Sequence, residues 1–500
     1  MGYTLGVDIG TSSSKGVLVA SDGTIVAQVV REHEVDRPRT GWVEMDADIW
    51  WSEFSDIARE LVASLPGVVV DAVGVSGMGP CVLLADDDDR PVRPAILYGI
   101  DTRASKQVAR MTRELGEGAI TAVGGSVLSS QAGGPKIAWI AESEPEHWSQ
   151  ARRLFMPASW LVRKLTGEYS LDHHSASQVS PLYDIEAERW HAEWWDRYAG
   201  SLERPRLAWA GDVAGVITAE AAAETHLAPG TPVITGTIDA WAEAASVGAL
   251  EVGDLMVMYG TTMFLIATTD ETHRSPSMWT TVGTVPGTRN LAGGLATSGA
   301  LTAWLRNLTG AEYPQLLEEA AASGPGANGL LTLPYFAGER TPIQDPQARG
   351  VIAGLTLEHT RGDLYRAALE ATAFGVRHNI ETMREAGAAL QRIVAVGGGT
   401  QGQLWLQTVS DVCGLPQEVP SATIGASYGS AFLAARAFAR ATGEDGLPSI
   451  TDWNPPTEVI TPNPALKDFY DGLFELYLRL YGDSKSVVHE LAALHRGAHS

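Results

Sequence analysis

Cysteine is nearly missing from this 500-residue chain. Only Cys81 and Cys413 occur, too few for a disulfide framework or a cysteine zinc site. Basic charge is scarce too: 36 Lys and Arg stand against 60 Asp and Glu, a formal net charge of −24. A field of that sign repels phosphate backbones and anionic lipid headgroups, so nucleic acid and membrane surfaces are poor partners. An anionic ligand must then be caught by a local device, such as backbone N–H groups or a metal ion. No apolar run reaches the roughly 18 residues of a spanning helix. Met1-Gly2-Tyr3-Thr4 has neither the basic nor the apolar region of a signal peptide. No P-loop pattern G-x-x-x-x-G-K-[ST] is present. Gly74-Val75-Ser76-Gly77-Met78 misses the serine-hydrolase elbow at its fifth position. The expectation is a reduced, soluble, cytoplasmic protein.

What is present suits a globular fold: 45% hydrophobic and 19% charged residues, in a chain long enough for two large domains or three smaller ones. Tyr3–Ile9, residues 16–20 and residues 24–30 read as three successive strands around the turns Gly10-Thr11-Ser12-Ser13-Ser14 and Ser21-Asp22-Gly23. Helical spacing of Ile49, Trp50, Phe54, Ile57, Ala58 and Leu61 predicts a helix over 46–65. Short strands are expected at 71–76, 81–84 and 231–235, and a small-residue helix over 240–250. The tryptophans of the less regular middle (Trp139, Trp148, Trp160, Trp190, Trp194, Trp195) read as core aromatics. The opening pattern then recurs: a strand at Asp254–Tyr259, the turn Gly260-Thr261-Thr262, and a strand over 263–268. Two strand–Gly-Thr–strand units predict a duplicated domain with the boundary near 248, giving 1–248 and 249–500. A strand at 393–396, helices over 403–412 and 426–439, and a C-terminal helix near 463–481 complete the second half.

Three constellations carry chemistry. In Asp8-Ile9-Gly10-Thr11-Ser12-Ser13-Ser14-Lys15 a strand-end carboxylate precedes a turn rich in hydroxyls and N–H donors. Such a turn makes an anion nest, and the carboxylate can hold hydrated Mg²⁺ against the same phosphates. With the second hairpin at Gly260-Thr261-Thr262, two loops can clamp one polyphosphate. In Gly236-Thr237-Ile238-Asp239-Ala240 an acid stands between a strand and an Ala-rich helix, either as a helix N-cap or as an acceptor for the proton of an attacking hydroxyl. Gly397-Gly398-Gly399 at a strand end lets a flat ring or a phosphate approach the backbone. Asp86-Asp87-Asp88-Asp89 reads as a solvated turn, and Asp172-His173-His174 as adjacent side chains that point apart.

These motifs, in order, resemble the FGGY carbohydrate kinases of the actin-like, ribonuclease-H-fold ATPases. The resemblance extends through Gly41-Trp42-Val43-Glu44-Met45-Asp46, Lys136-Ile137-Ala138-Trp139, Gly338-Glu339-Arg340-Thr341-Pro342 and Gly425-Ala426-Ser427-Tyr428-Gly429. It implies an α/β fold of two duplicated ribonuclease-H-like domains with an inter-domain cleft, and ATP and Mg²⁺ as cofactors. A small sugar or polyol, such as the ketopentose xylulose, is the implied acceptor. It implies Asp239 as general base and Asp8 as the carboxylate that organises the metal. Thr11, Ser12 and Lys15 match the first phosphate loop, Gly260, Thr261 and Thr262 the second, and Gly299, Gly398, Gly399 and Gln403 the adenosine pocket. Gly79, Pro80, Asp101 and Asp239 fall on the sugar side. The chain departs from xylulose kinases where Gly79 and Pro80 replace a Met-His pair, where Ala240 replaces Asn, and where Tyr98 replaces Trp. A homodimer is one expectation for assembly, and an actin-like ATPase switch without a sugar substrate is the rival reading.

Overall fold

The computed structural model describes residues 2–443 and 446–497. β1 (Tyr3–Ile9) and β2 (Ser13–Ala20) form the first hairpin, and β3 (Ile25–Glu32) adds antiparallel to β2. The helix expected over 46–65 spans Ala47–Ser64 (α1). Asp46 caps it by accepting the N–H of Asp48, and Trp50, Phe54, Ile57, Ala58 and Leu61 are buried on one face. Each large apolar side chain so buried contributes about 1.5–3 kcal/mol. β4 (Val70–Gly77) then lies parallel to β1 on its other side. β5 (Val213–Val216), β6 (Pro232–Ile234) and the short β7 (Thr237–Ile238) complete this sheet, in the order β5-β6-β4-β1-β2-β3 with β7 also on β4.

The second sheet repeats the first. β8 (Asp254–Tyr259) and β9 (Met263–Thr269) form a hairpin with a three-residue connection, as β1 and β2 do. β10 (Trp279–Val282), β11 (Arg289–Leu295), β12 (Arg392–Val396), β13 (Gln417–Pro420) and β14 (Pro456–Ile460) give the order β10-β11-β9-β8-β12-β13-β14. The antiparallel run β3-β2-β1 corresponds to β11-β9-β8. Parallel β4 corresponds to parallel β12, and each sheet has an antiparallel outer strand beyond it.

Between β4 and β5 the chain makes short strands and helices. One helix, Pro157–Thr166 (α2), packs under β4. Trp139, Trp160, Trp190, Trp194 and Trp195 are buried there, as core aromatics, whereas Trp148 is only half-buried. Three expected elements come out shorter. The strand of 81–84 is Leu83–Ala85, that of 231–235 is Pro232–Ile234, and the helix of 240–250 is Asp239–Ser246 (α3). α3 ends early because Gly248, at φ 72°, turns the chain away.

In the second half, α4 (Gly299–Thr309), α5 (Arg361–Glu385) and α6 (Gln403–Cys413) surround the second sheet. The helix expected over 426–439 is Ala426–Thr442 (α7), and it packs on the first sheet, against β1, β2 and β4. Two glycines permit this approach: a Cβ on Gly6 would stand 2.0 Å from the Ser427 carbonyl oxygen, and one on Gly74 2.0 Å from that of Ser430. α3 makes the opposite crossing. Trp241 and Ala244 belong to a core with Met256, Ile266 and Val394, and the Trp241 indole donates to Asn290 Oδ1 at 3.0 Å. The two helices pack on each other, so each half contributes a helix to the other's side. The C-terminal helix runs over Lys467–Gly497 (α8), longer than expected, and packs on the second half through Tyr470, Phe474 and Tyr477.

Candidate functional site

A cleft of about 1060 Å³ opens between the halves where α3 and α7 start. The first loop enters it from the β1–β2 hairpin. Gly10 N–H donates to the Ser13 carbonyl at 3.0 Å, His33 N–H donates to the Ser12 carbonyl, and the His33 ring bonds the Gly10 carbonyl at 3.1 Å. These contacts fix the backbone and leave Thr11, Ser12 and Ser13 lining the cleft. Lys15 also lines it, its ammonium donating to the Ile424 carbonyl at 3.2 Å.

The second loop is docked on the start of α4. The N–H groups of Ser298 and Ala300 donate to the Thr261 carbonyl, and that of Gly299 to the Gly260 carbonyl at 2.9 Å. Thr262 reaches the cleft wall. Gly260, Thr261, Gly299, Gly398, Gly399 and Gln403 lie outside the cleft lining, on a solvent-accessible rim at the ends of β8 and β12. Gly397 and Gly399 pack against Tyr259, and Gln403 donates to Glu458 at 3.2 Å. The residues expected for the nucleotide thus divide between the cleft and this rim.

Four carboxylates line the cleft: Asp8, Asp239, Glu243 and Glu339. Asp8 Oδ1 accepts from the Ser76 hydroxyl at 2.8 Å. Burial, the charge of Asp239 and that of Glu243 hold the Asp8 carboxyl well above the usual carboxylate range. Asp239 is the first residue of α3, with Ile238 at the cap position, so the N-cap reading does not hold. Its Oδ1 accepts the N–H of its neighbour Ala240 at 2.7 Å, and burial raises its pKa. Glu243 stands one helical turn on, its pKa pushed up to about 7 by burial and then by Asp239. The sequence reading passed over Glu243, although an acid four residues after Asp239 on one helix was a usable signal. The donor set suits a divalent cation: several carboxylates with raised pKa beside hydroxyl-rich loops. Asp8 would hold it, assisted by phosphate oxygens, because no group of three or more His, Cys, Asp and Glu is placed as a closed protein cage among the described residues.

The acceptor side brings one correction. Gly79 lines the cleft, against Ile238. Pro80 is buried outside the lining, and so is Asp101. Both Asp101 oxygens are used internally. Oδ2 accepts from Val43 N–H at 2.7 Å and Arg103 Nη2 at 2.6 Å, and Oδ1 accepts from the Arg103 backbone N–H at 3.0 Å. Arg103 bridges on to Glu44 and lies over the Trp42 ring at 4.1 Å. Asp101 therefore holds the loop together from outside the cleft lining, and the nearby Asp-x-Arg spacing was the available sign. Tyr98, which does line the cleft, bonds Thr11 Oγ1 at 3.1 Å, and buried Lys136 donates to the Tyr98 carbonyl at 2.9 Å. His174 is buried between the Val282 carbonyl and Gln178, so the Asp172-His173-His174 run is structural. No helix among the described residues is long and apolar enough to cross a membrane.

The comparisons agree with this geometry. Residues 3–248 match the profile of the FGGY family of carbohydrate kinases, N-terminal domain, and residues 255–438 that of its C-terminal domain. The chain is similar to the xylulose kinase of Lactococcus lactis subsp. lactis (strain IL1403), 28% identical over 98% of this chain and 99% of that one. It is also similar to the glycerol kinase of Nocardia farcinica (strain IFM 10152), 29% identical over 94% and 99%. Among solved structures, xylulose kinase from Rhodospirillum rubrum superposes with a TM-score of 0.90 at 31% identity, over 97% of this chain and 100% of that one. Duplicated sheets, paired Gly-Thr loops, an acid opening the crossing helix and full-length similarity lead to one assignment: the chain belongs to the FGGY family of carbohydrate kinases.

Proposed function

We propose that this carbohydrate kinase transfers the γ-phosphoryl of ATP to a hydroxyl of a small ketose or polyol, a ketopentose such as xylulose first among them. The observation that carries the reading is Asp239, a buried carboxylate at the first residue of a helix, in one cleft with Thr11, Ser12, Lys15 and Thr262. The full-length similarity to xylulose kinases favours the ketopentose over other acceptors. It also disfavours the rival of an ATPase switch.

The chemistry follows from the chain's own groups. Thr11, Ser12 and Thr262 hold the phosphates between two rigid hairpins. Gly299, Gly398, Gly399 and Gln403, on the adjoining rim, suit the adenosine. Bound at Asp8, Mg²⁺ supplies charge neutralisation at the phosphates. Asp239 aligns the acceptor hydroxyl and takes its proton; a raised pKa makes it a better base near neutral pH. Closure of the two halves excludes water, which would otherwise hydrolyse ATP. Gly79, smaller than the Met it replaces, widens the acceptor side. The test is ADP release by the purified protein with Mg²⁺·ATP and a panel of pentuloses, pentitols, tetritols and glycerol. Turnover that rises with one pentulose supports the reading; ATP turnover indifferent to every acceptor would sink it.

A further inference from the structure

One motif remains without a role: Gly338-Glu339-Arg340-Thr341-Pro342. Its side chains are spent on fixing its own backbone. Glu339 is buried, and its Oε1 accepts the N–H groups of Ala296 and Arg340, each at 2.7 Å. Thr341 Oγ1 accepts the Gly294 N–H at 2.6 Å and donates to Asn379 Oδ1 at 2.6 Å. Gly338 sits at φ 74°, where a Cβ would lie 2.8 Å from the Pro346 carbonyl oxygen. The segment is therefore riveted to the end of β11. The exception is Arg340. It is exposed, and it is the one arginine among the residues lining the cleft. It has no ion pair among the described residues, whereas Arg103, Arg366 and Arg392 are all paired to carboxylates. Its charge bears on Tyr98, the residue bonded to Thr11 of the first loop. A guanidinium fixed at its base and free at its tip thus enters from the second half, opposite the junction of phosphate loop and acceptor side.

We propose that Arg340 is a catalytic residue that donates hydrogen bonds to the transferring phosphoryl group from the second-half wall of the cleft. The proposal rests on the kinase reading above. In the step, the acceptor oxygen forms its bond to the γ-phosphorus while Asp239 takes the hydroxyl proton. The bond from the γ-phosphorus to the β–γ bridging oxygen breaks, and its electron pair leaves with ADP. Charge spreads over the three equatorial oxygens, and Arg340 meets it without gaining or losing a proton. The planar fork suits this better than an ammonium, which acts as a point charge. Lys15, from the first half, already spends a donor on the Ile424 carbonyl.

The experiment compares wild type, Arg340→Ala and Arg340→Lys in acceptor-dependent turnover, in melting temperature, and in calorimetric binding of Mg²⁺·ADP with and without aluminium fluoride. The expected result for Arg340→Ala is a fall in kcat of about 10²–10³-fold, with acceptor KM and melting temperature little changed. Its ADP affinity should be retained, and the affinity gained from fluoride lost. Arg340→Lys should recover part of kcat. Unchanged kcat, or equal loss of plain ADP binding and of melting temperature, would overturn the proposal. So would a loss confined to aldonate acceptors with neutral pentuloses unaffected, which would mean carboxylate recognition. If wild type turns over no acceptor at all, the kinase reading fails on its own. The fluoride measurement then decides Arg340, and an unchanged gain in the Ala variant rejects it.

Discussion

Glu243 follows Asp239 by one turn of α3, the two carboxylates share a cleft, and the Asp239 charge adds to burial in pushing the Glu243 carboxyl up. A base must be ionised to accept a proton, so activity rises with pH through the pKa of Asp239. Burial places that rise above the ordinary aspartate value of about 3.9. Burial and the Asp239 charge keep Glu243 protonated up to about pH 7, whereas Asp239 ionises at about pH 6, so Glu243→Gln takes no charge from beside the base while it ionises. The acid limb of kcat/KM should stay in place in a pH–rate profile. A limb that moves to lower pH would mean that Glu243 is already ionised beside the base.

Asp239→Asn is the direct test of the base. Since Asp239 is not the N-cap of α3, its replacement leaves the cap unchanged. Turnover should fall by about 10²–10⁴-fold while the melting temperature and acceptor binding hold, because Asn still bonds a hydroxyl. Near-normal kcat in a folded variant would leave the carboxylate without a catalytic role.

Asp8→Asn keeps an acceptor for the Ser76 hydroxyl and loses the charge. We expect the Mg²⁺ needed for half-maximal rate to rise on the order of tenfold or more, with metal-free nucleotide binding almost unaltered. Titrating Mn²⁺ by electron paramagnetic resonance gives a readout independent of turnover. Equal weakening of metal-free nucleotide binding would assign Asp8 to the fold.

Gly6→Val places side-chain atoms inside the Ser427 carbonyl oxygen, on backbone that cannot swing aside. Overpacking of this kind costs about 1–3 kcal/mol or more, so the melting temperature should drop by several degrees. Gly118→Ala is the control: a Cβ there meets nothing within 4 Å, and the change should be neutral or mildly stabilising. Similar behaviour of the two variants would mean that the helix–sheet contact is looser than the distances say.

The hairpins were readable because Gly-Thr turns between β-branched runs leave few alternatives, and their recurrence 250 residues on exposed the duplication. Asp239 was readable by position, but its surroundings were not. The destination of α7 was hidden, since a helix rich in alanine and small residues fits many surfaces and nothing local says that Gly6 and Gly74 lie beneath it. Asp101 came from the resemblance alone, and nothing in the local sequence shows that it is buried outside the cleft lining, where Arg103, two residues on, pairs with its carboxylate. α8 was drawn too short because few residues over 482–494 are buried, which leaves a weak periodic signal.

The crossing of α3 and α7 has a consequence in time. During synthesis, the first sheet is complete once Ile238 has emerged, but the helix that covers β1 and β4 ends at Thr442, about 200 residues later. At roughly 5–20 residues per second, one apolar face waits about 10–40 s for its cover. A chain stopped before Ala426 should therefore accumulate as aggregate or chaperone-bound material, and a soluble, cooperatively melting fragment would contradict this. The N-terminal half, though first made, becomes a finished domain only when α7, a segment of the second half, has emerged.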